Sequence, residues 1–451
     1  MPPTPTEGAY APRLVKVSIP QPSLVVLVGP SGAGKSTLAG RHFRTTEVLS
    51  SDAFRGLVSD DAADQSATAD AFEALRLIAA RRLARGRLTV VDATNVQAWF
   101  RAPLVALARA YHLPCVALVL DAPEELCLER NRLRADRQVE PEVVRRQRAQ
   151  MQQSMSTLGR EGFRHVHLLA PEMAEGLELQ RVPLACDRRT DSGPFDIIGD
   201  VHGCQAELEA LLRLLGYAPL EGGQSWRHPG GRRVIFLGDL VDRGPAVPGV
   251  LRTAMAMVRS GDALCLPGNH EAKLRRALAG RNVRVSHGLQ QSLEQLAHEP
   301  TELREEVARF IDQLVSHYVL DGGRLVVAHA GMKEPLQGRE SAAVRAFALY
   351  GETTGETDEY GLAIRHDWAA EYRGPAAVVY GHTPVPEPEW VNETVCVDTG
   401  CVFGGRLTAL RWPERTLATV PALRAYCEPS RLGAALVTPE SPAPDEEGQP
   451  G

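Results

Sequence analysis

Leu24-Val25-Val26-Leu27-Val28 runs without a polar residue into Gly29-Pro30-Ser31-Gly32-Ala33-Gly34-Lys35-Ser36-Thr37. That junction leaves the backbone few choices. A short aliphatic run bounded by glycine reads as a strand buried on both faces, and the following Leu38-Ala39 opens a helix. Glycines in the turn let successive backbone N–H groups point toward phosphate oxygens, and the helix start adds its partial positive charge. Gly29, Ser31, Gly32, Ala33, Gly34, Lys35, Ser36 and Thr37 are therefore the expected phosphate cradle. Lys35 would reach the terminal phosphates of ATP or another NTP, and Ser36 would ligate the accompanying magnesium. An unrelated glycine turn is the competing reading, but loop, lysine, hydroxyl and strand all agree against it.

Further short apolar runs follow at Glu47–Leu49, Leu88–Val91 and Val116–Leu120, separated by helix-like stretches such as Ala69–Arg85. This alternation predicts a parallel sheet flanked by helices. With 451 residues the chain exceeds what one core usually serves, so at least two domains are expected. The pattern becomes polar and irregular over 171–194, which reads as a linker between a P-loop kinase domain at 14–170 and a second domain at 195–425. Residues 1–13 and the acidic, proline-rich 426–451 are expected to be disordered.

The formal charge of -6 argues against a surface that coats nucleic acid, so any polyanion must bind locally. One candidate is the run of arginines from Arg130 to Arg148, for which a solvated helix face is the plain alternative. The 8 cysteines form no C-x-x-C pair, which fits reduced thiols in a cytoplasm. No apolar stretch is long enough for a membrane helix, and no membrane partner is expected.

Phosphoryl transfer needs an acceptor side. Asp52 follows the strand-like Glu47–Ser51 and should emerge at the sheet edge that carries the P-loop, where it could take a proton from an attacking hydroxyl. A helix N-cap is the competing role. Asp92-Ala93-Thr94-Asn95, ending another strand, could support magnesium or the acceptor, or satisfy a turn. Cations over the transferring group would come from Glu129-Arg130-Asn131-Arg132 and Asp136-Arg137-Gln138-Val139.

The second half repeats one device, an apolar strand that stops at ligand-type residues. Phe195–Ile198 leads to Gly199-Asp200-Val201-His202, Val234–Leu237 to Gly238-Asp239-Leu240-Val241-Asp242-Arg243, and Leu264–Pro267 to Gly268-Asn269-His270-Glu271. Later strands end at His329, His382 and Asp398. Taken singly, any of these histidines would more readily be a satisfied core or surface residue. Repetition of glycine beside a ligand at every strand end points instead to one metal-binding rim. Mixed carboxylate, imidazole and amide donors suit manganese, iron or zinc pairs. Two such ions sharing a carboxylate, here Asp239, can bind phosphate and supply hydroxide beside it. Arg243 would clamp phosphate oxygens, and His270, oriented by Asp242, would protonate the leaving alcohol. His287, His298, His317 and His366 lack the strand-end setting and are left aside.

Together these residues resemble the bacterial polynucleotide kinase-phosphatase family of RNA repair enzymes. The phosphatase motifs alone would indicate only the calcineurin-like metallophosphoesterases. The closer likeness rests on Thr46–Asp52, Val90–Val96, Asp136–Val139, and Gly351–Glu356 continuing to Asp367-Trp368. It implies an α/β chain in which a P-loop NTPase-type parallel sheet with flanking helices precedes a metallophosphoesterase α/β sandwich. By that likeness the first domain would phosphorylate 5'-hydroxyl ends of RNA or DNA, RNA before DNA, with Asp52 as general base and Arg130 and Arg137 as lid cations. The second would remove 2',3'-cyclic, 2'- or 3'-phosphates, with manganese preferred and nickel as an alternative. Asp200, His202, Asp239, Asn269, His329, His382 and Asp398 match the family's metal positions, and Arg243 and His270 its phosphate-contacting pair. Family members commonly carry a ligase-like third domain. The expectation here is a two-domain or truncated form served by a separate ligase, with a homo-oligomer compatible with it.

Two other readings compete. One keeps both chemistries but pairs a small-metabolite kinase with a dinucleoside polyphosphate or phosphoprotein phosphatase. The other is a sensing module without turnover, against which the intact Lys35, Asp52 and metal-ligand set weighs.

Overall fold

The computed structural model describes residues 15–134, 138–220, 222–357 and 363–428. Asp136 and Arg137, the N-terminal 1–13, the tail beyond 428 and part of the stretch between Glu356 and Asp367 lie outside the described residues. The chain divides into two units between Leu184 and Ala185, with Arg339–Ser341 grouped with the first.

In the first unit the P-loop strand Leu24–Val28 is buried at every position and sits at the centre of a five-stranded sheet. Thr89–Asp92 and Cys115–Leu120 flank it, and Val48–Ser50 and His165–Leu169 form the edges. Every pairing is parallel. A strand flanked on both sides and covered on both faces has no solvent-facing row, which is why these runs are aliphatic rather than alternating. The helices between them carry a single apolar stripe. In Thr68–Ala84 the buried residues are Ala71, Leu75, Ala79 and Leu83, four apart and therefore on one face.

The expected linker holds structure. Pro171–Glu175 is a short helix, and Leu177–Pro183 pairs in parallel with Val15–Gln21. Leu177 and Leu179 alternate with polar residues and pack on the first unit's core, while Arg181 forms an ion pair with Glu47 at 2.7 Å. A strand with one wet face carries about half the apolar residues of a central one, so its period-2 signal is easily read as irregular. Asp187–Arg188 then pairs with His317–Leu320 in the second unit.

The second unit stacks two six-stranded sheets. One runs through Ala263–Cys265, Arg233–Phe236, Phe195–Ile198 and Arg406–Trp412, and the other through Thr394–Cys396, Ala377–Tyr380, Leu325–Ala328 and His317–Leu320. Strand alternation decides the layers. Ile197 and Ile235 face Val327, Val379 and Val395 in the core between the sheets. Ile198, Val234 and Phe236 point the other way, under Leu208, Leu211, Leu251 and Ala254 of the helices Gln205–Leu214 and Val247–Arg259. Val326, Ala328 and Val378 meet Val344, Ala348 and Trp368 on the opposite face. The result is an α/β sandwich. Phe195–Ile198, Arg233–Phe236 and Ala263–Cys265 are mutually parallel, as are Leu325–Ala328, Ala377–Tyr380 and Thr394–Cys396, so within each sheet their carboxyl ends share an edge. Among the described residues no helix is long and apolar enough to cross a membrane.

Candidate active sites

In the first unit the loop after Leu24–Val28 opens the helix Lys35–His42, with Gly32 and Gly34 at φ 82° and 98°. The buried Lys35 Nζ donates to the carbonyls of Gly29 and Pro30, 2.8 Å each. Burial lowers its ammonium to about 8, against the opposing pull of Asp92, Cys127 and Asp52. Ser36 and Asp92 line one cavity, and burial pushes the Asp92 carboxyl up while Lys35 beside it holds it down. A P-loop hydroxyl and an acid on the neighbouring strand, lining one cavity, are groups that suit magnesium beside bound phosphates.

Asp52 lies in the first turn of the helix Ser51–Ser59, and the N-cap is Ser50, whose hydroxyl accepts from the Ala53 N–H. Asp52 forms an ion pair with Arg55, a residue the sequence did not single out; the Arg55 side chain is 5% exposed and that of Asp52 38%. Arg55 Nε is also held by the Ala62 carbonyl at 3.0 Å. The guanidinium is thus fixed, and the carboxylate is partly exposed to the cavity. Gly29, Ala33 and Thr37 remain in the loop and helix start, and Ser31, Gly34, Lys35, Ser36, Thr37, Asp52 and Asp92 line one cavity of about 910 Å³. Arg130, Arg134 and Arg146 line it too, and an Arg130 guanidinium nitrogen stands 3.4 Å from where a Cβ on Gly34 would lie. The basic run is therefore divided. Arg145 turns outward to Glu124 and Glu142, whereas Arg130 faces the P-loop.

In the second unit His202 and His329 are set by their backs. His202 Nδ1 lies 2.7 Å from the Val241 carbonyl and His329 Nδ1 3.1 Å from that of Leu237. A carbonyl only accepts, so these nitrogens carry the protons and each Nε2 presents a lone pair inward. His202 Nε2 is 3.6 Å and His270 Nε2 3.8 Å from Asp239 Oδ2, while His329 Nε2 is 3.5 Å from Asp239 Oδ1. The two oxygens of one carboxylate thus face two histidine groups. Asn269 Oδ1 and His382 Nδ1 both approach His329 Nε2 at 3.0 Å. Asp200 accepts from the His382 N–H at 3.2 Å, and Asp398 from that of Gly400 at 3.0 Å.

The backbone here is bent for the purpose. His202, Asp239, Asp242, Arg243 and His382 all take left-handed φ angles between 44° and 76°. Non-glycine residues rarely accept them, and such strain gathers where side chains must be aimed. Glu271 supports the turn. Its carboxylate accepts from the N–H groups of Gly268, Asp239, Leu240 and Val241 at 2.7 to 3.2 Å.

Electrostatics supply the test of fit for metal. Burial, with neighbouring Asp398 and Asp239, holds Asp200 well above the usual carboxylate range, burial and Glu271 do so for Asp239, and burial lifts Asp398 to about 6. Burial and then Arg243 keep His202 and His270 well below the ordinary histidine value. Buried acids crowded on one another, facing bare imidazole lone pairs, fit a pair of divalent cations as the missing positive charge. Asp200, His202, Asp239, Asn269, His329, His382 and Asp398 are the residues that would hold them.

Beside this set, His270 Nδ1 meets Asp242 Oδ2 at 2.5 Å, and the Ser292 hydroxyl donates to Asp242 Oδ1 at 2.5 Å. Arg243 reaches His202 Nε2 at 2.5 Å and lies over the Phe403 ring, 5.2 Å from its centroid. Ser292 carries no strand-end signal, and Glu271 stands in the strand-end run Gly268–Glu271, where the sequence assigns it no role; both act from behind the candidate ligands. His287, set aside above, sits within the electrostatic reach of Lys273, Arg243 and Asp242. His317 is a buried core residue that accepts from the Gly338 N–H.

Residues 24–158 match the AAA domain family model, and residues 193–399 match the calcineurin-like phosphoesterase model. Asymmetrical bis(5'-nucleosyl)-tetraphosphatase PrpE of Anoxybacillus flavithermus is 44% identical over 241 residues, 51% of this chain and 96% of that protein. The protein of the same name from Geobacillus thermodenitrificans is 48% identical over 232 residues, 51% of this chain and 94% of that protein. The chain accordingly belongs to the calcineurin-like phosphoesterases, with a P-loop AAA domain joined to that unit in one polypeptide.

Proposed function

We propose that the two units heal nucleic-acid ends, RNA before DNA: the first phosphorylates a 5'-hydroxyl at the expense of ATP or another NTP, and the second removes 2',3'-cyclic, 2'- or 3'-phosphates. The observation that carries this reading is the shared cavity, in which Lys35, the arginines and an accessible Asp52 meet. Lys35 and Arg130 would hold the transferring phosphate, Ser36 and Asp92 would hold magnesium, and Asp52 would take the proton of the attacking hydroxyl. Arg137 retains the lid role that the family likeness gives it.

In the second unit, bound divalent cations, manganese or nickel, would supply Lewis acidity and an activated water. The chain's own part is to place the phosphate and move a proton. Arg243 would clamp its oxygens, and His270, held by Asp242, would pass a proton to the departing alcohol. A 5'-hydroxyl oligonucleotide offered with γ-labelled ATP tests the first activity. Label on the strand is expected, and label left entirely in ATP would contradict the reading.

A second reading has its own support. Relatives 44% and 48% identical are tetraphosphatases by name, which favours dinucleoside polyphosphates as substrates of the phosphoesterase unit, beside a small-metabolite kinase. Competition between diadenosine tetraphosphate and a 2',3'-cyclic phosphate oligonucleotide separates the two. Hydrolysis of the first alone would select it.

A further inference from the structure

Trp99 is 63% exposed, an unusual setting for the largest apolar side chain. It stands in the first turns of the helix Ala98–Ala110, and its ring lies on Phe100, centroids 3.6 Å apart and planes within 27°. Phe100 stacks in turn on Phe72 at 5.9 Å, from the helix Thr68–Ala84. The three rings form a tier whose outer member has an open face, and all three line the cavity that holds Lys35 and Asp52.

Strand order says which half of that cavity they serve. Asp52 follows Val48–Ser50, and Trp99 follows Thr89–Asp92, both on one side of the P-loop strand. Arg130 and Arg134 follow Cys115–Leu120 on the other side. Phosphate-binding cations and aromatic tier thus come from opposite flanks, with the tier on the flank of the acid that faces the acceptor. Aromatic side chains with an open face bind flat rings, and bases of single strands stack on them regardless of sequence.

We infer that Trp99 is a stacking platform for the terminal nucleobase of the acceptor, holding the end so that its 5'-hydroxyl reaches Asp52. This rests on the end-phosphorylation reading and adds a specificity-determining residue to it. The group is a positioning residue, so its loss should appear in acceptor KM rather than in kcat.

The test compares wild type, Trp99→Ala and Trp99→Phe on 5'-hydroxyl oligonucleotides with a normal or an abasic terminal nucleotide. Wild type should lose roughly tenfold or more in acceptor KM on the abasic end. Trp99→Ala should show that loss on the normal end and no further loss on the abasic one, Trp99→Phe should restore most of it, and ATP KM should not move. An unchanged acceptor KM in Trp99→Ala, or a raised ATP KM, would overturn the proposal.

Quenching of the fluorescence that wild type has and Trp99→Phe lacks, titrated with a 5'-hydroxyl dinucleotide, reads stacking without turnover. Quenching without phosphorylation would fail the end-phosphorylation reading alone. Phosphorylation without quenching would fail the platform alone.

Discussion

Gly268 is where a single methyl group should break one active site and spare the other. Its φ of -90° is open to any residue, so alanine there meets no backbone strain. Space is the obstacle. A Cβ at Gly268 would lie 2.0 Å from Asp239 Oδ1 and 2.4 Å from the Asp239 nitrogen, where real Cβ atoms stay beyond 3.0 Å. Asp239 or the turn carrying Asn269 must therefore shift by about 1 Å, the order of misplacement that costs about 100-fold in rate. That factor corresponds to about 2.7 kcal/mol of transition-state stabilisation. Gly268→Ala should lose this much p-nitrophenyl phosphate hydrolysis at saturating manganese, with weaker metal retention in equilibrium dialysis. Nucleotide binding by the first unit should be unchanged. Hydrolysis within threefold of wild type would refute the claim that Asp239 is the shared ligand around which the site is built.

Glu271→Ala would orphan the N–H groups of Gly268, Asp239, Leu240 and Val241, a cost on the order of 4 kcal/mol or more, read as a lower urea midpoint for the second unit. Asp52→Ala should abolish phosphate transfer and spare hydrolysis, and His202→Ala should do the reverse; loss of both activities from either change would contradict independent sites. Lys35 has its ammonium lowered to about 8, so NTP affinity in calorimetry should fall as pH rises through that value and the positive charge is lost. Lys35→Arg stays charged and should flatten that pH profile.

What the sequence disclosed and what it hid follow from how each feature is made. Central strands are continuous aliphatic runs, and the candidate ligands Asp200, Asp239, Asn269, His329, His382 and Asp398 sit directly after such runs, so they could be singled out by position alone. The strand Leu177–Pro183 was hidden because its wet face breaks the apolar run. Arg55, Ser292 and Trp99 were hidden for another reason. Ser292 acts on Asp242 across a fold contact that no spacing rule marks, whereas Arg55 is three residues from Asp52 and Trp99 is next to Phe100, so what stayed hidden was their place in the cavity and not their partners. Asp52 shows the middle case. Its motif left base and N-cap open, and only the capping bond from Ser50 assigned the cap elsewhere.

One RNA strand can put the end-healing account to its sharpest trial. A strand bearing a 5'-hydroxyl and a 2',3'-cyclic phosphate, incubated with the full chain, ATP, magnesium and manganese, would be weighed by mass spectrometry both whole and, after cleavage within the strand, as its two separate end fragments. The account predicts that the same molecules gain a 5'-phosphate and lose the terminal phosphate at the other end. An unaltered mass, while diadenosine tetraphosphate in the same tube is split, would contradict it.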